Sequence, residues 1–207
     1  MESPVLPLGA PPRAERADAV RNRSHLLATA RTMLAEQGGA DGLTMDGLAE
    51  RARLGKGTVF RRFGTRAGIF AALLDDDERA FQQQVLAGPP PLGPGAAPLD
   101  RLIAYGRART GFLIAHRDIA RATLDGHQPI PGRSRSPLSQ LHIRVLLGQM
   151  NLGHADLDML AVQLTAALDG PLLLYLSASD LTEAAPGTAA ERIAHSWQDL
   201  AQRVCRP

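Results

Sequence analysis

The residue types best suited to binding chemistry fall in one short run, 56–62. Its members combine three cations with a hydroxyl, an aromatic ring and small residues: Lys56, Gly57, Thr58, Val59, Phe60, Arg61 and Arg62. Ammonium and guanidinium groups pair with phosphates, and an arginine fork can also bond two acceptors on the edge of a guanine. Glycine allows a backbone to approach a ligand closely. If one surface presents this run, its chemistry predicts a contact with nucleic acid.

Two short helices are predicted to position this run. Thr44 is a good N-cap for a helix over 45–52, residues 53–55 form a tight turn, and a second helix covers 56–63. The small Ala49 allows the two helices to cross closely. The angle between them is filled by apolar residues, Leu48, Leu54 and Val59. The major groove of DNA admits one helix, so this arrangement is typical of helix-turn-helix DNA readers.

Further helices are predicted on both sides of this pair. Apolar residues at helical spacing indicate a helix over 21–37, which ends at Gly38 and Gly39. Gly64 stops the second helix of the pair, and Thr65 caps a long helix after it. The four prolines of 1–20 predict a disordered leader before the first helix.

Over 43–63 and 65–70 the sequence reads LTMDGLAERARLGKGTVFRRF and TRAGIF. These segments resemble the DNA-binding module of the TetR family of bacterial transcriptional regulators. The resemblance extends over 21–75, about a quarter of the chain. Beyond that stretch, the chain is similar to the family only in the number and order of its predicted helices.

The resemblance implies a role for each matching residue. Thr44 would meet a phosphate at the start of the first motif helix, and Arg66 would touch the DNA backbone from the start of the long helix. The recognition helix and its approach would supply the other contacts: Lys56, Gly57, Thr58, Phe60, Arg61 and Arg62. We expect Arg61 or Arg62 to contact bases, and Lys56 and Arg66 to contact phosphates.

Three positions depart from the family pattern. Phe60 stands where the family usually has tyrosine, so a hydroxyl contact to phosphate is lost and only ring packing is left. Arg53 occupies a turn position where glycine is usual, and a left-handed backbone there costs about 1–2 kcal/mol for a residue with a side chain. Gly64 replaces a common proline.

The composition excludes several classes of protein. Among 207 residues there are 33 Ala and 31 Leu and few β-branched residues, which predicts an all-α fold. The single cysteine, Cys205, excludes an internal disulfide, and the six histidines show no metal-ligand spacing, so we expect no metal and no cofactor. The sequence has no 18-residue apolar run and no secretory signal, which indicates a cytoplasmic protein without a membrane partner. The net charge of +2 alone does not suggest nucleic acid.

The predicted architecture has about nine helices in two domains. After the leader, a helix-turn-helix domain with the linking fourth helix covers 21–86, a segment rich in proline and glycine forms a linker over 87–98, and a larger helical domain covers 99–207. Helices in the larger domain are expected at about 99–116, 118–125, 137–152, 156–178 and 188–204.

In the family, the larger domain dimerises and usually holds a small-molecule pocket. The helix at 156–178 is apolar nearly all round, so with 188–204 it would form a four-helix interface between two protomers. Aromatic and polar residues at helical spacing suggest the pocket: Tyr105, Arg109, Phe112, His116, His142, Met150 and Tyr175. The acidic run at 75–78 is interpreted as a solvated helix face.

Together these features predict a homodimeric regulator that binds a palindromic operator in double-stranded DNA. An apolar or amphipathic small molecule would release it. Two alternatives stay open at this point: a helical enzyme that uses the pocket for catalysis, and a DNA-bound dimer without an effector. The sequence shows no paired nucleophile and base, which speaks against the enzyme.

Overall fold

The computed structural model describes residues 13–37, 39–122, 137–150, 152–153, 156–170 and 188–206. In these ranges all regular secondary structure is helical, which confirms the predicted fold class. The helices are α1 Arg13–Gln37, α2 Met45–Arg51, α3 Lys56–Phe63, α4 Arg66–Ala87, α5 Pro98–Ala115, α6 Arg117–Ala122, α7 Pro137–Gly148, α8 Leu157–Gly170 and α9 Thr188–Val204. Within the described ranges, none of them combines the length and hydropathy that a bilayer span requires.

The main departure from the expected helices is at the N-terminus. We expected a disordered leader over 1–20, but α1 already begins at Arg13, directly after Pro12. Residues 13–20 contain no proline or glycine, and their alanine, glutamate and arginine side chains favour a helix, so nothing breaks α1 there. Residues 1–12 lie outside the described part of the chain.

The chain divides into two compact units, Met1–Leu73 and Leu74–Pro207. The division falls within α4, on the N-terminal side of the segment 87–98 where we expected a linker. The first unit contains α1, α2, α3 and the start of α4. Their apolar faces form its core, in which the fully buried side chains are Leu26, Leu43, Leu48, Val59, Ile69, Phe70 and Leu73.

In the second unit, α5 is buried on two sides. On one side Trp197 of α9 donates an indole N–H bond to the Leu102 carbonyl at 3.1 Å. On the other side Tyr105 and Phe112 pack against Phe81 of α4, with ring centroids 5.8 and 5.3 Å apart. Helices α7 and α8 complete the core with Ile143, Leu146, Leu147, Ala161, Leu164 and Leu168.

Gly106 sets the distance between α5 and α9. A β-carbon at this position would lie 1.9 Å from the Trp197 indole nitrogen, which is impossible without a shift of one helix. We therefore expect Gly106→Ala to lower the free energy of unfolding by about 1–3 kcal/mol. Urea unfolding followed by the fluorescence of Trp197, the single tryptophan of the chain, measures the loss.

Gly111→Ala on the same helix is the matched control. A β-carbon there would meet nothing within 4 Å, so alanine is expected to stabilise the helix by about 0.5–1 kcal/mol. Equal effects of the two substitutions would contradict the close approach at Gly106.

Candidate nucleic-acid interface and ligand cavity

The helix pair α2–α3 is built as the residue pattern predicts. The Thr44 hydroxyl caps α2 by accepting a hydrogen bond from the Gly47 amide at 3.0 Å. Leu48 and Val59 are completely buried between the helices, and Ala49 is nearly so. Burying a leucine or valine contributes about 1.5–3 kcal/mol, so this small contact is sufficient to fix the crossing of the pair.

The turn between α2 and α3 contains the expected left-handed residue. Arg53 has a φ of 54°, and it is exposed. The Leu54 amide donates to the Ala49 carbonyl at 3.0 Å, and the Thr58 amide donates to the Gly55 carbonyl at 2.8 Å. These bonds close the turn over the strained residue and set the direction in which α3 leaves it.

One face of α3 is free of packing. Lys56, Gly57, Arg61 and Arg62 are exposed, and the ring of Phe60 is 50% exposed although it is large and apolar. Thr58 is partly buried beside them. The residues of α3 that we predict to touch DNA are therefore exposed or partly exposed, while the buried Val59 anchors the helix. Their contacts with DNA stay a prediction.

The cations of this surface differ in how they are held. The Arg62 guanidinium donates to the Ala19 carbonyl of α1 at 2.9 Å, and the Lys56 ammonium pairs with Asp46 at 2.8 Å. Arg61 makes no hydrogen bond or ion pair with any residue in the described ranges. Its fork is thus available to a base edge, whereas that of Arg62 must first leave α1.

Arg66 is engaged inside the module. Its guanidinium donates to the carbonyls of Leu43 at 2.6 Å and Ala40 at 2.5 Å, and it lies 5.0 Å from the ring centre of Phe70. These bonds hold the loop that precedes α2 against the start of α4. The family resemblance implied a contact with DNA backbone, and this geometry favours a structural role.

Gly68 is a positioning residue that the sequence reasoning did not single out. A β-carbon on it would lie 1.9 Å from the Phe63 carbonyl oxygen at the end of α3. The joint between α3 and α4 also requires Gly64, whose φ is 71°. Glycines on both sides of Thr65 were visible in the sequence, but their spacing does not reveal a backbone contact.

Residues 26–73 match the family model of the bacterial regulatory proteins, TetR family. This part of the chain is similar to the DNA-binding module of the TetR family. That match covers α2, α3 and the buried part of α1, together with the start of α4. It thus includes the helix pair α2–α3 and the joint between α3 and α4, but not Ala19 of α1.

Solved structures extend the similarity to most of the chain. A TetR-like transcriptional regulator from Rhodococcus sp. RHA1 is 21% identical, covering 94% of this chain and 97% of its own, with a TM-score of 0.53. A protein of unknown function from the same organism is 20% identical over 90% and 95%, with a TM-score of 0.59. A TetR transcriptional regulator from Streptomyces coelicolor is 24% identical over 89% and 98%, with a TM-score of 0.50. No curated protein matches the sequence. The chain therefore has the fold of TetR-type transcriptional regulators.

The second unit contains a cavity of about 250 Å³ between α4, α5 and α7. Its walls are mostly apolar, and two of the predicted pocket residues, Tyr105 and His142, line it. The described residues that line it are Glu78, Phe81, Gln82, Val85, Leu86, Tyr105, Leu138, Leu141, His142 and Val145. The exposed leucines and valine of α7 recur at positions typical of one helix face, so this wall could have been read from the sequence.

Three other predicted pocket residues form a polar layer next to the cavity. Arg109 is almost completely buried and pairs with Glu78 at 2.6 Å. The ring of His116 stacks on Phe112 at 4.2 Å, and its Nε2 lies 3.1 Å from an oxygen of Asp77. The interpretation of 75–78 as a solvated face is therefore wrong for its last two members. They lie on the side of α4 that faces α5.

Of the remaining two pocket candidates, only Met150 is described, and it is not among the described lining residues. Met150 packs against the apolar core of the second unit. Tyr175 lies outside the described residues. Contacts between any of the seven candidates and a ligand stay a prediction.

The polar groups of the cavity wall are strongly affected by burial. The Tyr105 hydroxyl donates to Ser139 at 2.6 Å, and burial raises the pKa of this phenol. The ring of His142 packs against that of Tyr105 at an interplanar angle of 50°, with ring centres 4.9 Å apart. Burial lowers the pKa of His142 from 6.5 to about 4, and the positive charge of Arg101 acts in the same direction. The imidazole is therefore neutral at pH 7.

The lowered pKa of His142 predicts a pH dependence of stability. Below pH 6.5, His142 binds a proton in the unfolded chain but stays neutral in the folded chain. The free energy of unfolding therefore decreases as the pH falls from 6.5 towards about 4. In His142→Phe this part of the pH dependence should be absent. Thermal unfolding between pH 7 and pH 4 tests it, with the exposed His195→Gln as control. A wild-type slope in His142→Phe would contradict the assignment.

Proposed function

We propose that the protein is a DNA-binding transcriptional repressor that acts as a homodimer on a palindromic operator and is released by a small-molecule effector. The observation that carries this proposal is the exposed cationic face of α3, opposite the buried Val59, in a module similar to that of the TetR family. An operator-binding protein works where the chromosome is, so we place it in the cytoplasm.

In this proposal Arg61 reads a base and other residues position the helix. Arg61 is exposed and has no partner among the described residues, so it can make a bidentate bond to a guanine without breaking another contact. Lys56 and Arg62 lie on the same face and suit phosphates. The Thr44 hydroxyl accepts the bond from Gly47, which leaves its proton free to donate to a phosphate. Arg66 contributes by holding the loop before α2.

Replacement of Arg61 should therefore remove specificity. We expect Arg61→Ala to weaken binding to the operator by about 1–3 kcal/mol, or 5–150-fold, with little effect on binding to unrelated DNA. Lys56→Ala should weaken binding to the operator and to unrelated DNA alike. It should also lower the slope of log affinity against log salt concentration by about one, the value for one lost phosphate contact. Fluorescence anisotropy in a salt series measures these effects, with DNA from the upstream region of the protein's own gene or a site selected from genomic fragments.

Arg107→Ala is the matched control, since it removes one exposed arginine from α5, a helix outside both the DNA-binding module and the proposed dimer interface. It should leave operator binding unchanged. If Arg61→Ala binds the operator as tightly as the wild type does, Arg61 is not the base reader. If the wild type prefers no genomic fragment, the proposed function fails.

The dimer would form through α8 and α9, the helices expected at 156–178 and 188–204. On α8, Met159 and Val162 are 53% and 42% exposed although they are large and apolar, whereas Leu164 and Leu168 are buried in the core. Such a helix has a second apolar face available to a partner. A two-fold axis between the protomers would present two copies of α3 to successive major grooves.

Val162→Glu is expected to convert this dimer into a monomer, because it puts a charge into the apolar contact. Gln84→Glu introduces the same charge at an exposed position of α4, outside the proposed interface, and should leave the dimer intact. Sedimentation equilibrium measures both. A dimer that persists in Val162→Glu would place the interface elsewhere.

The effector would act through α4. This helix begins in the first unit beside α3, and its residues Glu78, Phe81 and Gln82 line the cavity of the second unit. A ligand in the cavity releases the operator only if it binds the released conformer more tightly than the DNA-bound one. An apolar or amphipathic molecule suits the cavity walls.

A further inference from the structure

The cavity lining distinguishes among the classes of ligand that the proposed function leaves open. We propose that the cavity takes an uncharged, largely apolar molecule of about ten non-hydrogen atoms, whose hydroxyl group donates a hydrogen bond to Nε2 of His142. The role of this molecule as the effector rests on the proposed function. Its binding in the cavity is independent of the proposed function.

The size follows from the volume. A cavity of roughly 150 Å³ lined by apolar side chains holds one benzene molecule. By the same proportion, about 250 Å³ holds about ten non-hydrogen atoms, the size of a benzene ring with a short chain. The apolar lining by Phe81, Val85, Leu138 and Val145 suits such a body.

The charges in the wall favour an uncharged ligand. None of the described lining residues is a lysine or arginine, and the neutral His142 supplies no positive charge. The Glu78 carboxylate accepts from Arg109 at 2.6 Å through one oxygen and from Gln82 at 3.4 Å through the other. An anionic ligand would thus face the Glu78 carboxylate and find no lysine or arginine among the described lining residues, since Arg109 lies outside the lining and is already paired with Glu78. A cationic ligand would compete with Arg109 for Glu78.

Among the described lining residues, one buried polar side-chain atom has no hydrogen-bond partner. The Tyr105 hydroxyl is committed to Ser139, and the Gln82 amide to Glu78. Nε2 of His142 is buried and makes no hydrogen bond. A buried N–H without an acceptor is rarer in proteins than an acceptor without a donor, so the proton belongs on Nδ1 and Nε2 is an acceptor. The complementary group on a ligand is a hydroxyl donor.

Two isomeric probes separate this donor from the rest of the molecule. 4-Propylphenol and 4-ethylanisole have the same atoms and similar shapes, but only the phenol can donate. Isothermal titration of the full-length wild type and of His142→Phe gives a preference for the phenol over the ether in each protein. Because both proteins take the probes from the same water, the difference in hydration between the two probes cancels when the wild-type preference is divided by that of His142→Phe. We expect the wild-type preference to be about three- to tenfold larger than that of His142→Phe.

Two further measurements complete the test. 4-Ethylbenzoate, an anion of similar size, should bind wild type at least about tenfold more weakly than 4-propylphenol does. Val145→Phe fills the cavity from an exposed position, so it should abolish binding of both isomers while circular dichroism shows an unchanged helical content. This second variant keeps the test decisive if His142→Phe fails to fold.

Several results would overturn the proposal. They are an equal preference in wild type and His142→Phe, tightest binding by the benzoate, binding that persists in Val145→Phe, and no binding of 4-propylphenol to wild type up to its solubility limit. Operator binding is assayed separately in the presence of the phenol. Occupation of the cavity without release of DNA would refute the effector role and leave the ligand class standing, whereas a protein that binds no operator would refute only the proposed function.

Discussion

The second unit depends on the close approach of α5 and α9 at Gly106. Because this residue has no side chain, the Trp197 indole lies directly on the α5 backbone and bonds to the Leu102 carbonyl. That contact buries one side of α5 and orients the other side towards α4 and α7. Tyr105, which emerges on that second side, is a wall of the cavity. The cavity thus depends on a contact between the α5 backbone and the Trp197 ring of α9, in place of a contact between side chains of the two helices.

The polar contacts between α4 and α5 set the position of these two helices along each other. The Arg109–Glu78 pair is buried, and removing one partner of such a pair leaves an uncompensated charge that costs about 3–5 kcal/mol. Asp77 and His116 form a second contact along the same two helices. Since Glu78 also lines the cavity, the charge that aligns α4 with α5 is the one that a ligand meets. In the proposed function, ligand binding and helix position would be coupled through this carboxylate.

The TetR-like N-terminal module is held together by a different set of contacts. Its crossing rests on a few fully buried residues such as Leu48 and Val59, and on backbone contacts at the ends of its helices. Arg66 and Gly68 hold the neighbours of α3 in place, one by bonding two carbonyls and the other by the space it leaves. With the packing confined to one side of α3, the other side is left to Lys56, Phe60 and Arg61.

The sequence by itself determined the helical fold, the bounds of α3 and α9, the cap at Thr44 and the strained turn at Arg53. These features depend on neighbours within a few residues of the chain, through periodicity, capping and backbone sterics. Only the tertiary structure decided that Asp77 and Glu78 are paired rather than solvated, that Arg66 bonds to carbonyls, and that Arg61 and Arg62 differ. In each case the deciding partner, such as Arg109 for Glu78 or Ala19 for Arg62, lies dozens of residues away in the chain. The pattern of residue types along one helix does not indicate which distant group each side chain will contact.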